Sequence, residues 1–179
     1  TKMEHYWDEG FGYLQGLDNQ FVPGLADGGD RAHLNYYLNK INSQGNEDGI
    51  TKKIYDAFTL GRAAIVAKDY DERDKQAAIV AAEISKVVGY KAFYYIEKGS
   101  GYITEGKWAA AHHALSEAYG FILGMQFTKA ADGEPYMTNG EVNTMLDALA
   151  AGNGFWDRTP AELDDMAAQL KAATGLSSP

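Results

Sequence analysis

The chain of 179 residues contains no cysteine. Without cysteine a protein cannot form disulfides, bind a metal ion through thiolates or use a thiol as a nucleophile. A metal ion would therefore have to be held by histidine and carboxylate side chains. The absence of cysteine does not indicate the cellular compartment of the protein, because an extracytoplasmic protein can be stable without disulfides.

Long apolar runs and positive charge are also scarce. No run approaches the roughly 18 apolar residues of a membrane-spanning helix, so we expect no transmembrane segment. The net charge of -9 makes nucleic acid a poor partner and favours a cationic ligand or a metal ion. Hydrophobic residues make up 45% of the chain, which is enough for a folded core.

Several motifs of enzymes are missing. The sequence has no Gly-rich phosphate loop, no dinucleotide fingerprint, no Gly-x-Ser-x-Gly elbow and no His-Glu-x-x-His. Ser116 lies near His112, but a catalytic pair would need a third group from elsewhere in the chain. The acidic residues Asp18, Asp27 and Asp30 do not have the spacing of an EF-hand loop. These absences favour a binding or structural role over catalysis.

Apolar residues recur at helical spacing along almost the whole chain, and no segment alternates as a strand would. The pattern predicts an all-α protein, an up-and-down helical bundle of about seven helices forming a single domain over residues 1–179. The sharpest boundary is Thr159-Pro-Ala-Glu162, where a capping box begins the last helix. Gly99-Ser-Gly101 is predicted to end the longest helix. The predicted helices span residues 2–16, 31–43, 49–68, 72–98, 105–128, 140–151 and 160–174, with Thr104 and Asn139 as N-caps of the fifth and sixth.

Two segments each carry a histidine followed four residues later by a glutamate. These are His5 with Glu9 and His113 with Glu117, and two glycines also coincide when the segments are aligned. Each pair lies on one face of a predicted helix. An imidazole beside a carboxylate is half of a transition-metal site, so we expect the two pairs to converge on one ion. The secondary candidate ligands are Glu4, Asp8 and His112.

The same two pairs allow other interpretations. As a structural or protein-interaction module, the chain would use them in a buried His/Glu network without metal, which can specify helix register at little gain in stability. As a metal-dependent hydrolase, the chain would use the ion to activate water.

Three segments carry a resemblance to a known family. They are Lys2-Met-Glu-His-Tyr-Trp-Asp-Glu-Gly-Phe-Gly-Tyr13, Asp56-Ala-Phe-Thr-Leu-Gly-Arg-Ala-Ala64 and His113-Ala-Leu-Ser-Glu-Ala-Tyr119. Together they resemble a bacterial family of domains of unknown function that is related to the imelysins. The resemblance, over residues 2–176, implies an imelysin-like half-bundle and a location in the periplasm or as an outer-membrane lipoprotein of a Gram-negative bacterium. It also implies that the chain is the C-terminal part of a longer precursor.

The resemblance further implies a function in metal binding. Imelysins have a proposed metal-binding motif, Gly-x-His-x-x-Glu, and some relatives are periplasmic iron-binding proteins. We therefore expect a binding protein for iron, zinc or a metal chelate, or an accessory of iron uptake, with His5, Glu9, His113 and Glu117 as ligands. A protein partner or the missing N-terminal segment is a further expected contact. The hydrolase alternative comes from the peptidase label attached to imelysins.

Overall fold

The computed structural model describes residues 1–16, 34–43 and 49–177. Over these residues the chain is helical and contains no strand, which confirms the predicted all-α helical bundle. The predicted helix over 31–43 is described from Asn35 onward, and the acidic residues between 18 and 30 lie outside the described part. The α-helices are α1 (Lys2–Gln15), α2 (Asn35–Ser43), α3 (Ile50–Ala67), α4 (Tyr70–Thr104), α5 (Trp108–Gly124), α6 (Asn139–Ala150) and α7 (Pro160–Thr174), with 3-10 helices at Met125–Phe127 and Gly154–Asp157.

The chain divides into two compact units, and the boundary falls inside α4. The first unit, residues 1–87, holds α1, α2, α3 and the first part of α4. The second, residues 88–178, holds the rest of α4 and everything after it. The single domain over residues 1–179 stays a prediction.

In the first unit, α1 and α2 both pack against α3. The amide of Asn35 at the start of α2 donates a hydrogen bond to the carbonyl of Gln15 at the end of α1, at 2.8 Å. This buried amide satisfies a carbonyl that α1 leaves without a helical partner at its C-terminus. The apolar core comes from the predicted helical stripes: Leu14, Leu38, Ile41, Ile50, Ile54, Ala57 and Ile65.

In the second unit, α5 packs against α6, and apolar side chains of α4 to α7 form the core. The last helix begins as predicted, because Glu162 Oε2 accepts from the Thr159 N–H at 2.8 Å and Thr159 Oγ1 accepts from the Glu162 N–H at 3.4 Å. The largest fully buried side chains are Phe93, Ile96, Leu115, Ile122, Met125, Leu149, Leu163 and Leu170.

The predicted break at Gly99-Ser-Gly101 is wrong, because α4 continues through it to Thr104. A Cβ placed on Gly99 would lie 2.5 Å from Leu115 Cδ2. The glycine therefore allows α5 to pack closely against α4 and does not end α4. Thr104 does not cap the next helix either; its hydroxyl donates to the Ser100 carbonyl at 3.1 Å, inside α4. The turn is made by Gly106, with φ of 71°.

The N-cap of α6 also differs from the prediction by one residue. Thr138, not Asn139, caps the helix, since Thr138 Oγ1 accepts from the Glu141 N–H at 3.3 Å and Glu141 Oε2 accepts from the Thr138 N–H at 2.8 Å. Capping boxes with the same spacing begin α1, at Thr1 and Glu4, and α7, at Thr159 and Glu162. The helix predicted over 105–128 is shorter, because it begins at Trp108 and passes into a 3-10 helix after Gly124.

Candidate binding sites

The first His–Glu pair lies on the face of α1 that is turned away from α3. His5 Nε2 is 3.9 Å from Glu9 Oε2, and the two side chains are 74% and 44% exposed. First-row metal ions sit about 2.0–2.2 Å from such ligands, so small side-chain rotations would let one ion bridge the two atoms. The pair fits half of a metal site.

The second pair lies on α5 in the second unit. His113 is exposed and Glu117 is half-buried. The Ser116 hydroxyl between them donates to the His113 carbonyl at 2.7 Å, which is a local helix contact and not a nucleophile–base contact. Within either unit, the described residues contain no group of three or more histidine and carboxylate side chains that could hold a metal ion. Because the two pairs belong to different units, their convergence on one ion stays a prediction.

The secondary candidates Glu4 and Asp8 both bind Arg62 of α3. Arg62 Nε donates to Asp8 Oδ1 at 2.8 Å, and Arg62 Nη2 donates to Glu4 Oε2 at 2.9 Å. Partial burial works against the charged guanidinium, but the hydrogen bonds and attraction of the two carboxylates outweigh it and raise the pKa of Arg62. A metal ion at Glu4 would have to displace this arginine or the amino group of Thr1, whereas Asp8 uses only Oδ1 for Arg62.

The third secondary candidate, His112, lies in an aromatic cluster of the second unit. Its ring centroid is 4.1 Å from that of Trp156, nearly perpendicular at 86°, and Trp108 and Phe155 also contact it. The Nε2 atom is buried without a hydrogen-bond partner among the described residues. His112 therefore makes ring contacts, while His113, the next residue, faces solvent.

A cleft that the sequence analysis did not predict lies between α1 and α3. Its volume is about 370 Å³. Two aromatic side chains of α1, Trp7 and Phe11, face two of α3, Tyr55 and Phe58, and all four are half-buried. The remaining lining side chains are Asp8, Thr59 and Arg62.

The indole of Trp7 is fixed from two directions. Its Nε1 donates to the Phe58 carbonyl at 2.8 Å. Its six-membered ring lies directly over Gly61, where a Cβ would be 2.1 Å from Trp7 Cζ2. Only glycine allows the indole to lie this close to the backbone of α3, so the wall of the cleft is set by residue 61.

A faint sequence signal for this cleft exists. Trp7 and Phe11 are four residues apart on one face of α1, while Tyr55 and Phe58 are three apart on α3. The signal alone is insufficient, because aromatic residues at helical spacing normally belong to a core. What distinguishes this set is that the rings stay half-buried, and that depends on which helices pack together.

A larger cleft of about 730 Å³ lies between α6 and α7 in the second unit. Three methionines, Met137, Met145 and Met166, contribute to its wall. Glu141 is the one charged residue of its lining, and it caps α6; the hydroxyl and the backbone N–H of Thr138 lower its pKa. The cleft therefore offers little for recognising a charged ligand.

These features define the class of protein: an all-helical protein with an aromatic cleft in one unit and a solvent-facing His–Glu pair on α1. The model of a known family, the domain of unknown function DUF4856, matches residues 1–177, and the chain belongs to that family. The comparisons with curated proteins and with solved structures find no match. The predicted membership of a family of domains of unknown function is confirmed, while the relation to imelysins stays a prediction. In the described part of the chain no helix combines the length and apolarity needed to cross a membrane.

Proposed function

We propose that the protein is a binding protein of the cell envelope whose ligand is a metal ion or metal chelate, with iron as the first candidate and zinc as the second. The observation that supports this is the geometry of His5 and Glu9, which are 3.9 Å apart on an open helix face. His113 and Glu117 repeat the spacing on α5. The net charge of -9 also favours a cation.

The test is a calorimetric titration of metal-free protein with iron and zinc salts, after measuring the metal content of protein purified without added metal. Glu9→Gln keeps the size of the side chain and removes its charge, so we expect metal affinity to fall by about tenfold or more. Asp56→Asn is the matched control, because Asp56 is an exposed carboxylate of α3 that pairs with Lys52 one turn earlier. Equal metal affinity of Glu9→Gln and the wild-type chain would overturn the proposal.

The cellular part of the proposal is supported by the three segments that resemble the imelysin-related family. On that basis the chain belongs to the periplasm or to an outer-membrane lipoprotein of a Gram-negative bacterium, is part of a longer precursor, and assists iron uptake. Fractionation of the source cells, with an antibody against this domain, tests the location. Recovery in the cytoplasmic fraction would contradict it.

A protein-interaction module is the second candidate, and the outer face of α1 favours it. Tyr6 and Tyr13 are 64% and 71% exposed there, beside His5 and Glu9. Because His5 and Glu9 are exposed, a buried His/Glu network would need a covering surface from beyond the described residues. Absence of metal affinity in the wild-type chain would favour this module, and it would also remove the hydrolase alternative, which needs a metal-bound water.

A further inference from the structure

The aromatic cleft between α1 and α3 is lined by four aromatic side chains that have no part in the metal proposal. Trp7, Phe11, Tyr55 and Phe58 are all half-buried, so each ring keeps part of its surface open. Aromatic residues that only fill a core would be fully covered, as Phe93 is in the second unit, at 1% exposure. Four partly open rings around about 370 Å³ form a container for a small molecule.

The rings are turned relative to one another and do not lie in parallel. The interplanar angle is 68° between Trp7 and Phe58, 69° between Phe11 and Phe58, and 67° between Phe11 and Tyr55. In each of these contacts the edge of one ring lies near the face of its neighbour, and all four rings are half-buried and line the cleft. The negative face of an aromatic ring attracts a cation, and sets of such faces recognise alkylated ammonium groups.

The charged residues of the cleft are Asp8 and Arg62, which form an ion pair with each other. Arg62 forms ion pairs with two carboxylates, Asp8 and Glu4, which offset its positive charge. The amino group of Thr1 holds the other oxygen of Glu4 at 3.0 Å. Asp8 differs from Glu4 in that it lines the cleft and its Oδ2 accepts no hydrogen bond from the described residues. A carboxylate oxygen beside open aromatic faces is complementary to an organic cation.

The cleft is held in its shape before any ligand binds. The Trp7 indole is fixed by the Phe58 carbonyl and by Gly61, as described above. Thr59 Oγ1 donates to the Tyr55 carbonyl at 2.9 Å, so this hydroxyl is already used by the helix. The walls therefore offer the four aromatic rings and the Asp8 carboxylate, beside the ion-paired Arg62.

From these contacts we infer that the cleft between α1 and α3 binds a small organic cation, an amine or a quaternary ammonium group, by cation–π contacts with Trp7, Phe11, Tyr55 and Phe58 and by attraction to Asp8. This site lies on the side of α1 that faces α3, whereas His5 and Glu9 lie on the opposite side. The inference goes beyond the metal proposal and does not depend on it.

The experiment is a calorimetric titration of the full chain with choline and with tetramethylammonium, in the presence of a metal chelator. The neutral isostere 3,3-dimethylbutanol has the shape of choline without its charge. We expect choline to bind with a millimolar dissociation constant. The affinity for the isostere should be at least about tenfold lower. The chelator keeps this result separate from that of the metal titration.

Variants locate the binding in the cleft. Tyr55→Leu removes one aromatic ring and should lower the affinity for choline about tenfold. Asp8→Asn removes the negative charge and should lower that affinity about threefold or more. Phe127→Leu is the control, because Phe127 is 76% exposed on the second unit and should leave choline affinity unchanged. Circular dichroism melts show that each variant is folded. Absence of choline binding, equal binding of the neutral isostere, or unchanged affinity in both cleft variants would overturn the inference.

Discussion

At the scale of single residues, Gly61 controls how closely α1 approaches α3. A Cβ at this position would lie 2.1 Å from Trp7 Cζ2 and 2.6 Å from Trp7 Cη2. These distances are far below van der Waals contact, so any other residue must displace the indole. The displacement would also break the hydrogen bond from Trp7 Nε1 to the Phe58 carbonyl. The absence of a side chain at residue 61 thus determines both the packing of α1 on α3 and the shape of the cleft.

We therefore expect Gly61→Ala to destabilise the protein by about 1–3 kcal/mol, as overpacked positions do. The measurement is urea denaturation followed by circular dichroism. Gly10→Ala is the control, because Gly10 lies inside α1 and a Cβ there has no neighbour within 4 Å. That variant should gain about 0.5–1 kcal/mol from helix propensity. A Gly61→Ala protein as stable as Gly10→Ala would show that Trp7 does not lie on α3 as described.

A second prediction at the residue scale concerns acid. The backbone N–H of Thr159, and then its hydroxyl, hold the pKa of Glu162 below its ordinary value of 4.5. A carboxylate whose pKa is lowered by folding contributes stability that is fully present above its unfolded pKa and is lost as the pH falls through the folded pKa. We expect the coupling between Thr159 and Glu162 to be present at neutral pH and to disappear as the pH falls below 4.5.

The measurement is a double-mutant cycle of Thr159→Ala and Glu162→Gln, with unfolding followed at several pH values. At neutral pH, Thr159→Ala alone should cost about 0.5–2 kcal/mol, the usual effect of removing an N-cap. The Ala variant keeps the backbone N–H, so a coupling energy that stays constant from neutral to acidic pH would contradict the hydrogen bond from the Thr159 hydroxyl to the Glu162 carboxylate.

At the scale of helices, a glycine in this chain either allows another helix to pack closely or turns the chain. Both kinds occur at the C-terminal end of α4. Gly99 lies against Leu115, whereas a Cβ on Gly101 would have no neighbour within 4 Å. The run Gly99-Ser-Gly101 therefore belongs to a helix that another helix approaches, although its composition is typical of a turn. The position that does turn the chain is Gly106, where φ is positive.

This difference gives a matched pair of substitutions within one helix. Gly99→Ala should destabilise the protein by about 1–3 kcal/mol, because the new Cβ would lie 2.5 Å from Leu115 Cδ2. Gly101→Ala should be neutral or stabilising by up to about 1 kcal/mol. Thermal and urea unfolding of both variants is the measurement. If both substitutions destabilise equally, the backbone at this run is not helical.

The helices themselves could be predicted well from the sequence, because their signals are local. The Thr159–Glu162 capping box and the apolar stripes of α3 and α7 place elements to within a residue or two. The cleft could not be predicted, because it depends on α1 packing against α3, where the contacting residues Trp7 and Phe58 are 51 positions apart in the sequence. The residues around Gly61 do not reveal that this glycine packs against an indole. In the sequence it looks the same as a glycine that only weakens a helix. Local patterns thus predict elements, while the site requires their packing.

At the scale of the whole molecule, the division into two units decides what the metal proposal requires. His5 and Glu9 belong to the first unit, while His113 and Glu117 belong to the second. Neither unit alone offers three histidine or carboxylate ligands around one point among its described residues. Two ligands bind an ion weakly, so a tight site requires both pairs, or one pair with groups from elsewhere.

The stoichiometry of metal binding distinguishes these arrangements. If the two pairs share one ion, the chain binds one equivalent, and His5→Ala and His113→Ala each abolish binding. If the pairs act separately, the chain binds two equivalents weakly, and each substitution removes one of them. We expect one equivalent, because four ligands complete a tetrahedral site and two do not. Asp56→Asn is again the control, because Asp56 is an exposed carboxylate of α3 that belongs to neither pair. Two weak equivalents would show that the repeated His–Glu spacing does not form a shared site.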